Sequence, residues 1–134
     1  AEPGFRRREN QRPVLGADGV VGRYDALLAH LPLRTPWQDP QAYSSFHLYV
    51  IRFQLDDLAI TRRAVFESLR NQGIGVNVHY IPVHTQPYFQ RLGFKAGDYP
   101  QAERFYTEVI SLPLYQTLTE AQFARVMQAL QMRL

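Results

Sequence analysis

The chain has 134 residues, of which 46% are hydrophobic and 13% aromatic, enough apolar content for one domain with a real core. There is no cysteine, which excludes a disulfide framework and a thiolate metal site. The formal net charge of +3 is carried almost wholly by arginine, because Lys95 is the only lysine.

Residues 1–18 hold Pro3, Gly4, Pro13 and Gly16, and Gly19 follows. This composition predicts a flexible arm or cut edge over 1–18, with the domain proper over 19–134. The arm carries Arg6, Arg7, Arg8 and Arg12. Clustered arginines can bind phosphate backbones, but no aromatic platform or zinc-finger spacing accompanies them, so a solvated segment without a nucleic-acid partner is expected. No apolar run is long enough to cross a bilayer, and the N-terminus lacks the apolar core of a signal peptide. The expectation is a cytoplasmic protein with no membrane contact.

In "VVGRYDALLAHL", Val21, Tyr24, Leu27, Leu28 and Leu31 recur at helical spacing. Pro32 stops that helix, and Pro36 and Pro40 keep the next stretch extended. "SSFHLYVIRF" is rich in β-branched and aromatic residues and predicts a strand over 46–53. A second helix is expected over 61–72, with Thr61 as N-cap, Ile60 and Val65 as a hydrophobic staple, and Gly73 as its stop. Its buried stripe is Val65, Phe66 and Leu69.

"GVNVHYI" reads as the next strand. A third helix starts near Pro100, with Ala102, Phe105, Tyr106 and Val109 on one face. Pro113 cannot sit inside a helix, so "ISLPLY" is expected as a short strand. In the last helix Thr119 and Gln122 form a capping box, Leu118 and Phe123 the staple, and Phe123, Val126, Met127 and Leu130 the core stripe. Together these elements predict an α+β fold: a small, mostly antiparallel three-stranded sheet with helices packed on one face.

The stretch "VNVHYIPVHTQPYF" concentrates the polar candidates. Strand alternation puts Val76, Val78 and Tyr80 toward the helices and Asn77, His79 and Ile81 on the opposite face. A one-sided sheet shows that face to water, to a ligand or to a partner domain. A zinc site built on His79, His84 and His47 lacks an intervening acid, and Pro82 breaks any two-histidine helical motif. None of Ser44, Ser45, Ser68 and Ser111 sits in a nucleophile elbow. "GIGVNV" precedes a strand and lacks the third glycine of a dinucleotide loop. Two readings remain open from the residues alone: a ligand-facing strand, or a buried strand whose histidine bonds to the backbone.

"GIGVNVHYIPVHTQPYFQRLGF", "GDYPQAERFYTEVISLPLY" and "SSFHLYVIRF", with "GRYDALLAHL" before them, resemble the C-terminal part of the DegT/DnrJ/EryC1/StrS sugar aminotransferases over about residues 20–132. The resemblance implies the small C-terminal domain of the aspartate-aminotransferase fold, within a pyridoxal-phosphate enzyme that works as a homodimer. It implies amino transfer, from glutamate as donor, onto a UDP-linked 4-keto-6-deoxy sugar of the pseudaminic acid type. The Schiff-base lysine of the family belongs to a large N-terminal domain that this sequence does not contain. Lys95, in the polar loop "LGFKAGDYP", lacks the desolvated setting such a lysine needs. The chain alone is therefore expected to be non-catalytic, with no cofactor-binding residue and no metal ligand of its own.

By the same resemblance, Asn77, Val78, His79 and Tyr80 line the substrate cleft between the small domain and its own large domain. His84, and Tyr88 beside it, are further substrate-side candidates. His47 and Tyr49 are expected to order the sheet. The competing expectations are a free-standing, non-catalytic binding module that kept this fold, and an interaction domain with no ligand.

Overall fold

A computed structural model describes residues 17–42 and 44–134 of the chain. Most of the expected arm, with all four of its arginines, lies outside the described residues. The elements run α1 (Ala17–Leu28), β1 (Leu33–Arg34), β2 (Tyr49–Phe53), α2 (Arg62–Asn71), α3 (Pro87–Arg91), α4 (Pro100–Glu108), β3 (Val109–Leu112) and α5 (Glu120–Gln131). The three strands form one antiparallel sheet in the order β1–β2–β3.

The sheet owes its buried face to β2. Tyr49 pairs with Leu112, Ile51 with Ile110, and Phe53 with Leu33. Directly opposed residues share a face, so these side chains make one apolar surface, and all of them are buried. Helices α1, α2 and α5 cover it with Tyr24, Leu28, Leu69, Phe123 and Leu130, among others. The Tyr24 and Tyr49 rings stack with centroids 4.8 Å apart. Each finds a polar partner for its hydroxyl, as buried tyrosines require: Tyr24 donates to the Pro113 carbonyl at 2.9 Å and Tyr49 to Asp25 Oδ1 at 2.5 Å. Burial raises both phenols above their usual range, and for Tyr49 the Asp25 carboxylate adds to it.

The helix ends follow the local chemistry. Thr61 Oγ1 accepts from the Ala64 N–H at 3.2 Å at the start of α2. At its end Gly73 takes φ +73°, Gly73 N–H reaches the Arg70 carbonyl (2.9 Å) and Ile74 N–H the Leu69 carbonyl (3.0 Å). That is the Schellman pattern, which satisfies carbonyls the helix leaves open. At α5 the capping box forms as expected, with Thr119 N–H on Gln122 Oε1 at 2.8 Å and Gln122 N–H on Thr119 Oγ1 at 3.3 Å.

Several expectations need correction. The stretch 75–81 is not a strand; it touches the sheet through a single bridge, Asn77 to Ser111 on the free edge of β3. The third strand is instead β1, in the proline-rich stretch. Tyr80, expected toward the helices, is 72% exposed. A local bond competes with the ladder here: Asn77 Oδ1 takes the Val78 N–H at 2.9 Å, and Pro82 has no N–H to offer. The expected buried face of the third helix is also open, for Ala102 and Phe105 are exposed and Tyr106 only half-buried, while Val109 already belongs to β3. His47 precedes β2 and is exposed, so it does not order the sheet as Tyr49 does.

Candidate functional site

Alternation sends Val50, Arg52 and Ser111 to the sheet face away from the core. Asn77 joins that face because it bridges Ser111, through N–H to carbonyl bonds of 3.2 and 2.8 Å in the two directions. His79, two residues on, follows it. Its Nδ1 lies 2.7 Å from Ser111 Oγ, and its Nε2 lies 3.4 Å from Asn77 Nδ2. The Tyr80 ring meets the imidazole edge-on, with centroids 4.7 Å apart and planes at 88°, and the peptide between the two residues is cis. Four of the expected site residues, Asn77, Val78, His79 and Tyr80, therefore sit together, with Asn77 and Tyr80 exposed and Val78 and His79 half-buried.

Ser111 is the member of this cluster that sequence reasoning passed over. In the sequence it is a serine outside any nucleophile elbow. Its link to His79 spans 32 residues and depends on the β3 register, so no local signal marks it.

His84 is set apart from the cluster by its environment. It is 7% exposed, and its Nε2 lies 2.7 Å from Glu103 Oε1 on α4. The same carboxylate oxygen accepts the Gly97 N–H at 2.6 Å, which ties the 93–99 loop to the helix. The hydrogen bond from His84, and then that from Gly97, hold the Glu103 carboxyl below its usual range. An apolar groove of about 360 Å³ runs beside this pair, lined by Val83, Phe89, Phe94, Tyr99 and Ala102. Tyr88 is 59% exposed and lies with Phe89 on α3.

On the same sheet face, Arg52 donates to Glu108 at 2.5 Å and Arg104 to the other oxygen of that carboxylate at 2.8 Å. Burial works to raise the Glu108 carboxyl, but the two guanidiniums outweigh it and hold the group below the usual range. Among the described residues no group of three or more His, Asp or Glu side chains gathers as metal ligands, and no helix is long and apolar enough to cross a membrane. Lys95 lies exposed in the loop, where its backbone N–H donates to Asp98 at 2.8 Å.

The chain is 34% identical over 113 residues to the spore coat polysaccharide biosynthesis protein SpsC of Bacillus subtilis, covering 82% of this chain and 29% of that protein. Its fold superposes on Spr1654 of Streptococcus pneumoniae, described as a sugar aminotransferase and solved in its PMP form, with TM-score 0.79 and 26% identity over 89% of this chain and 30% of the other. It also superposes on Helicobacter pylori PseC, an aminotransferase involved in the biosynthesis of pseudaminic acid, with TM-score 0.77 and 25% identity over 88% of this chain and 32% of PseC. The chain thus spans about 30% of the length of the relatives it matches. The profile of the DegT/DnrJ/EryC1/StrS aminotransferase family matches residues 16–131, most of the chain, and the chain belongs to that family.

Proposed function

We propose that this chain is the small C-terminal domain of a pyridoxal-phosphate-dependent nucleotide-sugar aminotransferase, and that Asn77, Val78, His79 and Tyr80 form its side of the substrate cleft. The observation that carries the reading is the polar Asn77–His79–Ser111 cluster on the sheet face turned away from the core, in a chain of this family. Amide and imidazole groups on a half-open surface suit a polyhydroxylated ligand.

The residues present do not fit the cofactor itself. Its Schiff-base lysine needs a desolvated pocket, and Lys95 is exposed in a polar loop. We assign the cofactor to a large domain of the same enzyme, outside this chain. That domain supplies the imine chemistry; this chain binds and orients the sugar and shields it from water. The finer assignment is a UDP-4-amino-4,6-dideoxy-N-acetyl-β-L-altrosamine transaminase, taking its amino group from glutamate in the cytoplasm and acting as a homodimer. Similarity to PseC supports the pathway. His84 enters as a loop-shaping residue behind the cleft, given its burial against Glu103.

The test is borohydride reduction of the chain in the presence of pyridoxal phosphate. No specifically labelled peptide is expected from this chain, whereas the enzyme that contains it should label at a lysine elsewhere. Specific labelling of Lys95 together with turnover would sink the reading.

A further inference from the structure

The hydrogen bonds around His79 determine which ring nitrogen carries the proton. The Val78 N–H lies 2.9 Å from Asn77 Oδ1. A backbone N–H only donates, so the amide atom facing it is the oxygen, and the amide cannot be turned over. The other end of the amide, Nδ2, is then the atom 3.4 Å from His79 Nε2. An amide NH2 offers donors and no acceptor, so Nε2 meets it with a lone pair. In a singly protonated ring the proton then sits on Nδ1, and Ser111 Oγ accepts it at 2.7 Å. Ser111 is 4% exposed, and its backbone is clamped to Asn77 by the paired bonds of the bridge. The sheet thus fixes the Ser111 backbone from which the hydroxyl projects.

We propose that the Asn77 amide hydrogens bias His79 toward the Nδ1-protonated tautomer, with Ser111 Oγ taking that proton, so that Nε2 accepts a hydrogen bond from a ligand hydroxyl and does not donate to a phosphate oxygen. At 3.4 Å the Asn77 contact is long for a hydrogen bond, which leaves the lone pair open to a better donor. Ser111 is a positioning residue: it acts only through His79. The ligand half of the proposal rests on the sugar-binding reading above; the tautomer does not.

The test is proton–nitrogen correlation of the imidazole in the isotope-labelled chain without ligand, at about pH 8, above the usual histidine range. His79 is expected with Nδ1 protonated and Nε2 bare, the reverse of the form that neutral histidine prefers in water. Asn77→Asp, an exposed change that puts an acceptor against Nε2, should protonate that nitrogen. A protonated Nε2 in the unmodified chain overturns the proposal, as does an Nε2 that stays bare in Asn77→Asp. If the tautomer is as expected but His79→Ala leaves sugar-nucleotide kinetics of the complete enzyme unchanged, the sugar-binding reading and the ligand assignment fall together, and the tautomer stands.

Discussion

Helices α4 and α5 both carry apolar residues at helical spacing, yet they end in opposite situations. In α5, Phe123, Val126, Met127 and Leu130 are all buried against the sheet and α2. In α4, Phe105 is 41% exposed, and the buried residue is Glu108, a carboxylate held by two arginines. The Phe105 and Tyr106 rings lie against the guanidiniums of Arg52 and Arg62, at 5.9 and 5.1 Å. Periodicity identifies an apolar face; it does not say what covers that face. Beside α4, Val83, Phe89, Phe94 and Tyr99 line an apolar groove with Ala102. Scattered exposed apolar residues are ordinary, but a contiguous patch marks an interaction surface.

The contrast is broken most forcefully from the closed side. Leu130 is fully buried, so Leu130→Ala should cost about 2–5 kcal/mol of unfolding free energy by denaturant titration. A loss below about 1 kcal/mol would mean that the α5 face is not a packed core. Next comes the α5 cap. Thr119→Ala removes the side chain that accepts the Gln122 N–H and should cost about 1 kcal/mol in the same titration.

A smaller effect belongs to the open side and depends on pH. Glu103 is held below its usual range by His84 and Gly97, so on acidification the unfolded chain takes up this proton before the folded one does. The stability it contributes is complete above the ordinary glutamate value of about 4.3 and is lost as pH falls through the lower folded value. Glu103→Gln should therefore flatten the acid limb of a melting-temperature profile, and an unaltered limb would show the His84 latch to be without energetic weight. The smallest effect is expected at Leu92, which is 61% exposed. Leu92→Ala should change the stability of the chain by no more than about 0.5 kcal/mol, and a core-sized loss would place Leu92 on the closed side.

What was legible in the sequence is what local chemistry decides. Thr61, Gly73, Thr119 and Gln122 cap their helices as their types and spacing indicate. The α5 stripe and β2 were likewise readable, because each buries a face long enough to show its period. The two residues of β1 are too few to show alternation. "GVNVHYI" has strand composition, but the Asn77 side chain takes the next N–H and the ladder stops at one bridge. At the candidate site Asn77 and His79 were legible by alternation, on the face where the structure has them. Ser111 was not, because a partner 32 residues away is a product of register. The placement of His84 was hidden for the same reason: its partner Glu103 lies 19 residues on.

The central claim is that the Asn77–His79 surface receives the sugar nucleotide. The direct measurement is His79→Ala in the complete enzyme, with steady-state kinetics for the sugar nucleotide and the melting temperature taken on the same preparation. Losing one neutral hydrogen bond costs about 0.5–1.5 kcal/mol, so kcat/KM should fall on the order of threefold to tenfold, with the cofactor's imine absorbance and the melting temperature nearly unchanged. Normal kinetics with a large drop in melting temperature would contradict the account and make His79 a structural histidine held by Ser111.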